Sequence, residues 1–255
     1  MRKLVLLMVV GSLAVFAVAV PVAAITNGDV DGDEHPSVGG LVSSTQYSDG
    51  TWIYCSGTLI APTVFLTAAH CDDDGASVTV TFDTAYVDGD QTYTGTFHAD
   101  PMYAESYRQN DPHDIAVVVF DDDVVGITPA DLPEAGSLSG LARGQAITSV
   151  GYGAYDVSNA PGGKVFSYDD VRMTAVGSLR AVNKAWLRIS MNPATGDGGT
   201  CYGDSGGPNF LGNTNVIAAT TITGDAVCRS TNTTYRLDTP AARAFLAQFV
   251  PVVLP

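Results

Sequence analysis

The stretch CYGDSGGP, residues 201–208, places Ser205 between glycines in a G-x-S-x-G pattern. Two unrelated hydrolase architectures present a nucleophilic serine in such a stretch, so it decides between two folds. The α/β-hydrolase fold requires its acid and its histidine to follow the serine in the chain. The histidines of this chain are His35, His70, His98 and His113. All precede Ser205, which excludes the α/β-hydrolase fold and leaves the order His, Asp, Ser.

Short apolar or alternating runs recur between clusters of Gly, Pro, Asn and Asp. They include GGLVS, WIYCSGTLI, SVTVTF, DIAVVVF, QAITSVGYG, AWLRISM and NVIAATTI. Runs of this length, rich in Val, Ile, Thr and aromatic residues, predict an all-β sandwich or barrel. One helix is expected at 239–250, where Thr239 can cap it and Pro240 suits its first position. The loop-like segment 124–144 is interpreted as the connection between two β-barrel halves.

The first 24 residues have the composition of a secretory signal peptide. Arg2 and Lys3 precede an apolar run over 4–20, and small residues lead up to Ala24. A retained membrane anchor is the alternative, but the run is short for a span and an acidic segment follows it. We expect cleavage after Ala24, a mature chain that starts at Ile25, and a secreted, extracellular protein without further membrane contact.

The charge balance restricts the partners. Without residues 1–24, which hold two of the 12 Lys and Arg and none of the 27 Asp and Glu, the net charge is −17. Nucleic-acid binding is not expected, because it requires clustered cations. We expect a monomer. Export also predicts that the cysteines are paired; four cysteines allow three connectivities, between which composition does not choose.

Two upstream stretches supply partners for the serine. LTAAHC (66–71) places His70 next to a cysteine at the end of an apolar run, and HDIAVVVF (113–120) places Asp114 at the head of a strongly β-forming run. A buried carboxylate at such a position needs a partner. Alone, such a histidine is usually structural, and an aspartate at a strand start usually belongs to a solvated turn. The three stretches in this order make coincidence improbable.

With these motifs, the chain resembles secreted serine proteases of the chymotrypsin/trypsin family. The matching pieces are ITNG (25–28), CSGTLIAPTVFLTAAHC (55–71), DIAVVVF (114–120), LP (132–133), VGYG (150–153), CYGDSGGP (201–208) and the C-terminal helix. The resemblance implies an all-β fold of two packed antiparallel six-stranded barrels with a C-terminal helix. The protease domain would cover 25–255, with barrels at about 25–132 and 133–255. It also implies an endopeptidase that acts on proteins or peptides through an acyl-enzyme, without a cofactor.

The resemblance assigns the catalytic roles. Ser205 would be the nucleophile, His70 the general base and then acid, and Asp114 the group that orients the imidazole. The N–H groups of Gly203 and Ser205 would form the oxyanion hole. After cleavage, the ammonium of Ile25 would pair with Asp204. The implied disulfides are Cys55–Cys71 and Cys201–Cys228.

The resemblance also outlines a substrate pocket formed by Gly199, Thr200, Gly224 and Thr233. Trypsin-like members carry at the first of these positions an Asp that binds Arg or Lys. Because Gly199 is uncharged, we expect a medium or small apolar P1 residue rather than a basic one. The family usually has a Ser that touches the triad carboxylate on the strand before the wall glycine. Here Ile222 occupies that position, or Thr221 if the alignment shifts by one residue.

Other chemistry-bearing residues are interpreted as structural. We expect His98 in a surface loop and the side chain of His113 directed away from the nucleophile. NGDVDGD (27–33) matches half of a calcium-loop pattern and DDD (72–74) is acidic, but both are typical of solvated loops, and we expect no metal. The alternative functions are a protease-shaped binding module without activity and a hydrolase that acts mainly on esters.

Overall fold

The structure is a computed structural model that describes residues 25–72, 77–104 and 110–251. The expected signal peptide, residues 1–24, and part of the acidic stretch 72–74 lie outside the described residues. Within these ranges, strands supply most of the regular structure, as the short β-forming runs predict. No helix in the described ranges is long and apolar enough to cross a membrane.

After a short strand, β1 (Asp29–Val30), six strands form a closed antiparallel barrel. They are β2 (Val38–Val42), β3 (Ile53–Ala61), β4 (Val64–Thr67), β5 (Ser77–Thr81), β6 (Tyr93–Ala99) and β7 (Ala116–Phe120). The strand order is β2-β3-β4-β7-β6-β5, and β5 pairs back to β2. Phe65 stands between Leu59 and Val118 in the strand register, and all three are fully buried in the core.

The rest of the chain forms a second barrel. Its strands and a separate hairpin are β8 (Ala146–Gly151), β9 (Asp156–Ala160), β10 (Gly163–Ser167), β11 (Met173–Val182), β12 (Trp186–Ser190), β13 (Pro208–Leu211), β14 (Ile217–Gly224) and β15 (Thr231–Arg236). The barrel order is β11-β12-β15-β14-β13-β8, and β8 pairs back to β11. Strands β9 and β10 pair only with each other. Two six-stranded barrels confirm the expected architecture.

The N-terminal segment of the described chain contacts the second barrel, and the C-terminal segment contacts the first. Strand β1 pairs with β11 of the second barrel. The terminal helix, α1 (Pro240–Leu246), begins as the sequence predicts, since the Thr239 side chain accepts a hydrogen bond from the N–H of Ala242. Beyond the helix, Phe249 packs on His98 of β6 in the first barrel, with ring centroids 5.4 Å apart. The connection between β7 and β8 falls where the sequence predicts it, and a boundary at 132/133 within it stays a prediction.

A buried arginine joins the barrels. Arg172, which is 1% exposed, donates through Nε to the Asp31 carboxylate at 2.9 Å. Its two other nitrogens donate to backbone carbonyls of the first-barrel side, those of Val38, Phe82 and Gly32. Asp31 belongs to the half-match to a calcium loop, and the structure gives its carboxylate to Arg172 and His35 instead. In this acidic stretch, the buried carboxylate of Asp31 therefore serves an ion pair.

Candidate active site

His70 and Asp114 are brought together by two paired strands. Ala69–Cys71 form a 3₁₀ turn after β4, and Asp114 precedes β7, which pairs with β4. Asp114 is fully buried; one of its oxygens accepts the His70 N–H at 3.0 Å and the other lies 2.8 Å from His70 Nδ1. Because an ionised carboxylate only accepts, Nδ1 carries the proton, and Nε2 is left as a basic acceptor.

Ser205 lies on a tight turn that only glycines permit. Gly203 and Gly206 have φ values of 95° and 82°, in the left-handed region. A Cβ on Gly206 would lie 2.1 Å from Thr67 Oγ1, so the turn also touches the first barrel too closely for any side chain. Ser56 of β3 fixes the turn further, because its N–H donates to the Ser205 carbonyl at 2.8 Å.

Two backbone N–H groups of this turn are available to a ligand. The N–H groups of Asp204, Gly206 and Gly207 donate to carbonyl oxygens of the protein. Those of Gly203 and Ser205 have no acceptor among the described residues, and both residues line the cleft. A negatively charged oxygen in the cleft could accept hydrogen bonds from both, which is the arrangement that stabilises a tetrahedral intermediate.

The cleft has two parts, and His70, Tyr202 and Ser205 line both. The larger part, about 560 Å³, extends to the aromatic side chains of Tyr47, Tyr54 and Tyr168. The smaller, about 310 Å³, extends along 221–225 of β14 and the loop after it. No Lys or Arg is among the described residues that line either part, whereas Asp49, Asp72 and Asp225 are. The cleft is therefore acidic on both sides of Ser205.

The structure brings only part of the predicted pocket to the smaller cleft. Thr200 and Gly224 line it next to Ser205, whereas Gly199 and Thr233 do not. Thr233 is buried in β15, paired with Arg188 and Thr223. Gly199 lies instead against the side chain of Met191, whose Cγ and Sδ would be 2.4 and 2.6 Å from a Cβ at this position. Met191 is fully buried and accepts a contact from the Thr200 hydroxyl through its sulfur at 3.8 Å.

The sequence reasoning missed both Met191 and an acid at the mouth of this cleft, Asp225. Burial would raise the pKa of Asp225, but hydrogen bonds from the backbone N–H groups of 227 and 229–231 hold the pKa below its usual value. The carboxylate thus organises the loop between Asp225 and Thr231 and is already surrounded by donors. An Asp directly after a Gly, in GDAVCRST (224–231), is a local signal of a turn, and Asp side chains commonly accept backbone N–H groups in turns.

Both disulfides implied by the resemblance are present. Cys55–Cys71 borders the larger part of the cleft and Cys201–Cys228 the smaller. The sulfurs of Cys55 and Cys71 also lie within 4.8 Å of a His70 ring nitrogen, a spacing that could suit a metal. Because the two sulfurs are bonded to each other, they do not offer the thiolates that a metal would need.

Asp204 is buried, and backbone N–H groups hold its carboxylate. It is fully buried, and its oxygens accept the N–H groups of Gly153 at 2.8 Å and Cys201 at 2.7 Å. Burial raises its pKa to about 7, although these two hydrogen bonds oppose the shift. Ile25 is also fully buried, against Met173 and Ala175. In the described residues, no Lys, Arg or His forms an ion pair with Asp204.

The segment that follows residue 24 nevertheless docks beside the segment that holds Asp204. Thr26 forms a bridge with Gly199, two residues before Cys201. The Thr26 hydroxyl is within hydrogen-bond distance of the carbonyls of Gly199, at 3.1 Å, and Cys228, at 2.8 Å. Ile25 and Asp204 therefore belong to segments that are tied together.

The structure distinguishes Thr221 from Ile222. The Thr221 hydroxyl accepts a hydrogen bond from Asn209 Nδ2 at 2.9 Å, inside the second barrel. Ile222, which has no hydroxyl, lies at a bulge of β14, and both residues line the smaller cleft. Which of them occupies the position where the family usually has a Ser, on the strand before the wall glycine, stays a prediction.

The other histidines lie apart from the cleft. The expectation that His98 lies in a surface loop is wrong: it belongs to β6, because the Val- and Phe-rich β7 continues the sheet as its partner. His113 pairs through Nδ1 with Asp100 at 3.0 Å. His35 stacks on Phe210, with ring centroids 5.2 Å apart. None of the three lines either part of the cleft.

Comparisons with known proteins agree with this geometry. No curated protein was found to match the chain. Among solved structures, one of HL collagenase is similar with a TM-score of 0.68 and 20% sequence identity, and the match covers 88% of this chain and 97% of that one. The similarity shows the same fold. A model of the trypsin family matches residues 30–246. Since that match spans most of the sequence, the chain belongs to the trypsin family and is a chymotrypsin-like serine endopeptidase.

Proposed function

We propose that peptide bonds are hydrolysed by a triad of Ser205, His70 and Asp114. The observation that carries the proposal is the 2.8 Å contact of His70 Nδ1 with the buried Asp114, next to a cleft shared with Ser205. A free serine hydroxyl is a poor nucleophile, so a base must remove its proton. His70 is that base through Nε2, and Asp114 stabilises the imidazolium that forms.

The reaction proceeds in two halves. Ser205 Oγ attacks the scissile carbonyl carbon while His70 takes its proton, and the carbonyl oxygen becomes an oxyanion that accepts the N–H groups of Gly203 and Ser205. His70 then protonates the leaving amine, the C–N bond breaks, and an acyl-enzyme remains. Water repeats the sequence and releases the acid. Loss of one oxyanion donor costs about 3–4 kcal/mol of transition-state stabilisation in comparable enzymes.

The pocket supports a preference for uncharged P1 residues. Gly199 supplies no carboxylate, and the apolar side chain of Met191 lies against it. Asp225, the acid among the described residues that line the smaller cleft, is satisfied by backbone N–H groups. Burying an unpaired Arg or Lys would be unfavourable. We therefore expect P1 Leu, Ala or Phe to be cleaved far faster than P1 Arg or Lys.

Activation follows from the position of the mature N-terminus. We propose that cleavage after Ala24 frees an ammonium on Ile25 that pairs with Asp204 and so holds the Gly203–Ser205 backbone in shape. Support comes from the burial of both residues and from the bonds between Thr26 and Gly199. The signal peptidase cut would then itself activate the enzyme, and secretion agrees with the two disulfides.

The partners follow from the family and the charge. Trypsin-family proteases act on proteins or peptides. We propose a secreted monomer that binds neither nucleic acid nor, after signal cleavage, a membrane, since the net charge of the whole chain is −15.

A fluorophosphonate probe tests the triad, because only an activated serine reacts with it. The mature protein should be labelled at Ser205, and both Ser205→Ala and His70→Ala should lose labelling and peptidase activity. The exposed Ser44 provides a control, since Ser44→Ala should change neither. A folded, correctly processed protein that is not labelled would favour the binding module. Ester cleavage without peptide cleavage would favour the esterase.

A further inference from the structure

Ser56 lies where the two barrels meet. It belongs to β3, next to Cys55, whose disulfide partner Cys71 follows His70. The side chain is fully buried, and a Cβ on Gly151 of the second barrel would lie 2.9 Å from its Oγ. Ser56 is thus a first-barrel residue whose hydroxyl enters the second barrel.

The hydrogen bonds of this hydroxyl have a fixed direction. The N–H of Tyr152 donates to Ser56 Oγ at 3.0 Å, and a backbone N–H can only donate. The hydroxyl proton is therefore free for the second partner, the carbonyl oxygen of Gly203, at 2.9 Å. Both hydrogen bonds cross from the first barrel to the second.

Ser56 holds the nucleophile turn at two points. Its hydroxyl binds the Gly203 carbonyl, and its own N–H binds the Ser205 carbonyl at 2.8 Å. These two carbonyls flank Asp204. Gly203 has a φ of 95° and, because it has no side chain, its backbone can adopt many other conformations. A hydrogen bond to its carbonyl therefore restricts the backbone at this position.

We propose that Ser56 is a positioning residue of the oxyanion hole: its hydroxyl holds the peptide between Gly203 and Asp204, which lies between the two peptides that carry the free N–H groups, so that those of Gly203 and Ser205 face the substrate oxygen. The inference rests on the oxyanion hole of the proposed function. Ser56 touches no reacting atom and acts through Gly203. The neighbouring residue Cys55 forms the disulfide beside His70, so β3 contacts both the segment of the general base and the turn of the oxyanion donors.

Ser56→Ala removes the hydroxyl and leaves the Gly203 carbonyl and the Tyr152 N–H without this partner. We expect kcat to fall about tenfold, in line with the cost of one buried hydrogen bond, while KM changes less than twofold. A peptide trifluoromethyl ketone, whose adduct places an oxyanion in the hole, should bind about tenfold more weakly. A non-covalent product peptide should bind equally well. Ser56→Thr, which keeps the hydroxyl, should restore both values.

Ser149→Ala is the matched control. The Ser149 hydroxyl donates to Asn209 Oδ1 at 2.8 Å, so this variant makes the same substitution at another buried serine without touching the Gly203–Gly207 turn. It should lower the melting temperature yet leave kcat and the inhibitor affinity within twofold. Wild-type kcat in Ser56→Ala, a change confined to KM, or an equal kcat loss in Ser149→Ala would overturn the proposal. If instead Ser205→Ala stays active or the wild type is not labelled, the proposed function itself fails.

Discussion

The pH dependence of the free energy of unfolding should differ between a chain that starts at Ile25 and a chain that is extended before Ile25. The perturbation is a single Met retained before Ile25, which removes the ammonium that would face Asp204. In a chain extended before Ile25, burial raises the pKa of Asp204 from 3.8 to about 7. A difference of about three pKa units corresponds to about 4 kcal/mol between the two protonation states.

The sign follows from the direction of the shift. Because the folded pKa lies above the unfolded one, the protonated carboxyl is favoured by folding. The extended chain should be most stable below about pH 4 and should lose stability, up to about 4 kcal/mol, as the pH rises through about 7. In the chain that starts at Ile25, the ammonium stabilises the carboxylate, and this loss should be absent up to about pH 8, where the ammonium itself titrates.

The assay is urea denaturation at pH 4, 6 and 8, with both chains carrying Ser205→Ala to prevent self-digestion. Extended chains with Asp204→Asn should show a flat profile, because the amide does not titrate. In the Ser205 background, the Met-extended protein should fold but be nearly inactive at pH 8. Equal pH profiles for the two N-termini, or full activity of the extended form, would refute the ion pair.

Three further predictions concern specificity and the seam between the barrels. Met191→Ala should leave space behind Gly199 and Thr200, enlarge the smaller cleft and raise the ratio of kcat/KM for P1 Phe over P1 Ala by about tenfold; an unchanged ratio would show that Met191 does not shape this cleft. The acidic larger cleft should favour peptides with Lys over Glu after the scissile bond, and Asp49→Asn should reduce that preference about threefold at low salt, as a peptide series with a fixed P1 residue would measure. Arg172→Met should cost about 3–5 kcal/mol in denaturant unfolding because Asp31 stays buried without its arginine and keeps only its contacts with His35, whereas adding Asp31→Asn should recover part of the loss.

The sequence predicts those site residues that sit in short, self-contained motifs. His70 and Ser205 are embedded in stretches whose small residues and glycines are themselves required by the turns, so the local pattern carries the information. The strand runs predict an all-β sandwich or barrel, and the two six-stranded barrels follow only from the family resemblance. These features depend on neighbours in the chain, which a single sequence displays.

Residues that act over long sequence distances escape such reasoning. Ser56 reaches Gly203 across 147 positions, and nothing in CSGTLI indicates that its hydroxyl has a partner there. Met191 meets Gly199 only because a turn folds one segment over the other. The half-match to a calcium loop fails for the same reason, since the cation that neutralises Asp31 comes from Arg172, 141 positions away.

The crossed chain ends bear on how this enzyme would survive its own activity. Its connecting segment is exposed in places, Val125 by 82%, where another copy of the enzyme can reach it. A cut there would not release two halves, because the piece that contains β1 keeps this strand in the sheet of the other piece, and the piece that contains α1 keeps its helix region against the first barrel. The two barrels, whose turns carry His70 and Ser205, would stay in contact, and a nicked molecule would keep both sides of its cleft. Self-digestion would then disrupt the cleft only when a cut detaches one of the two chain ends.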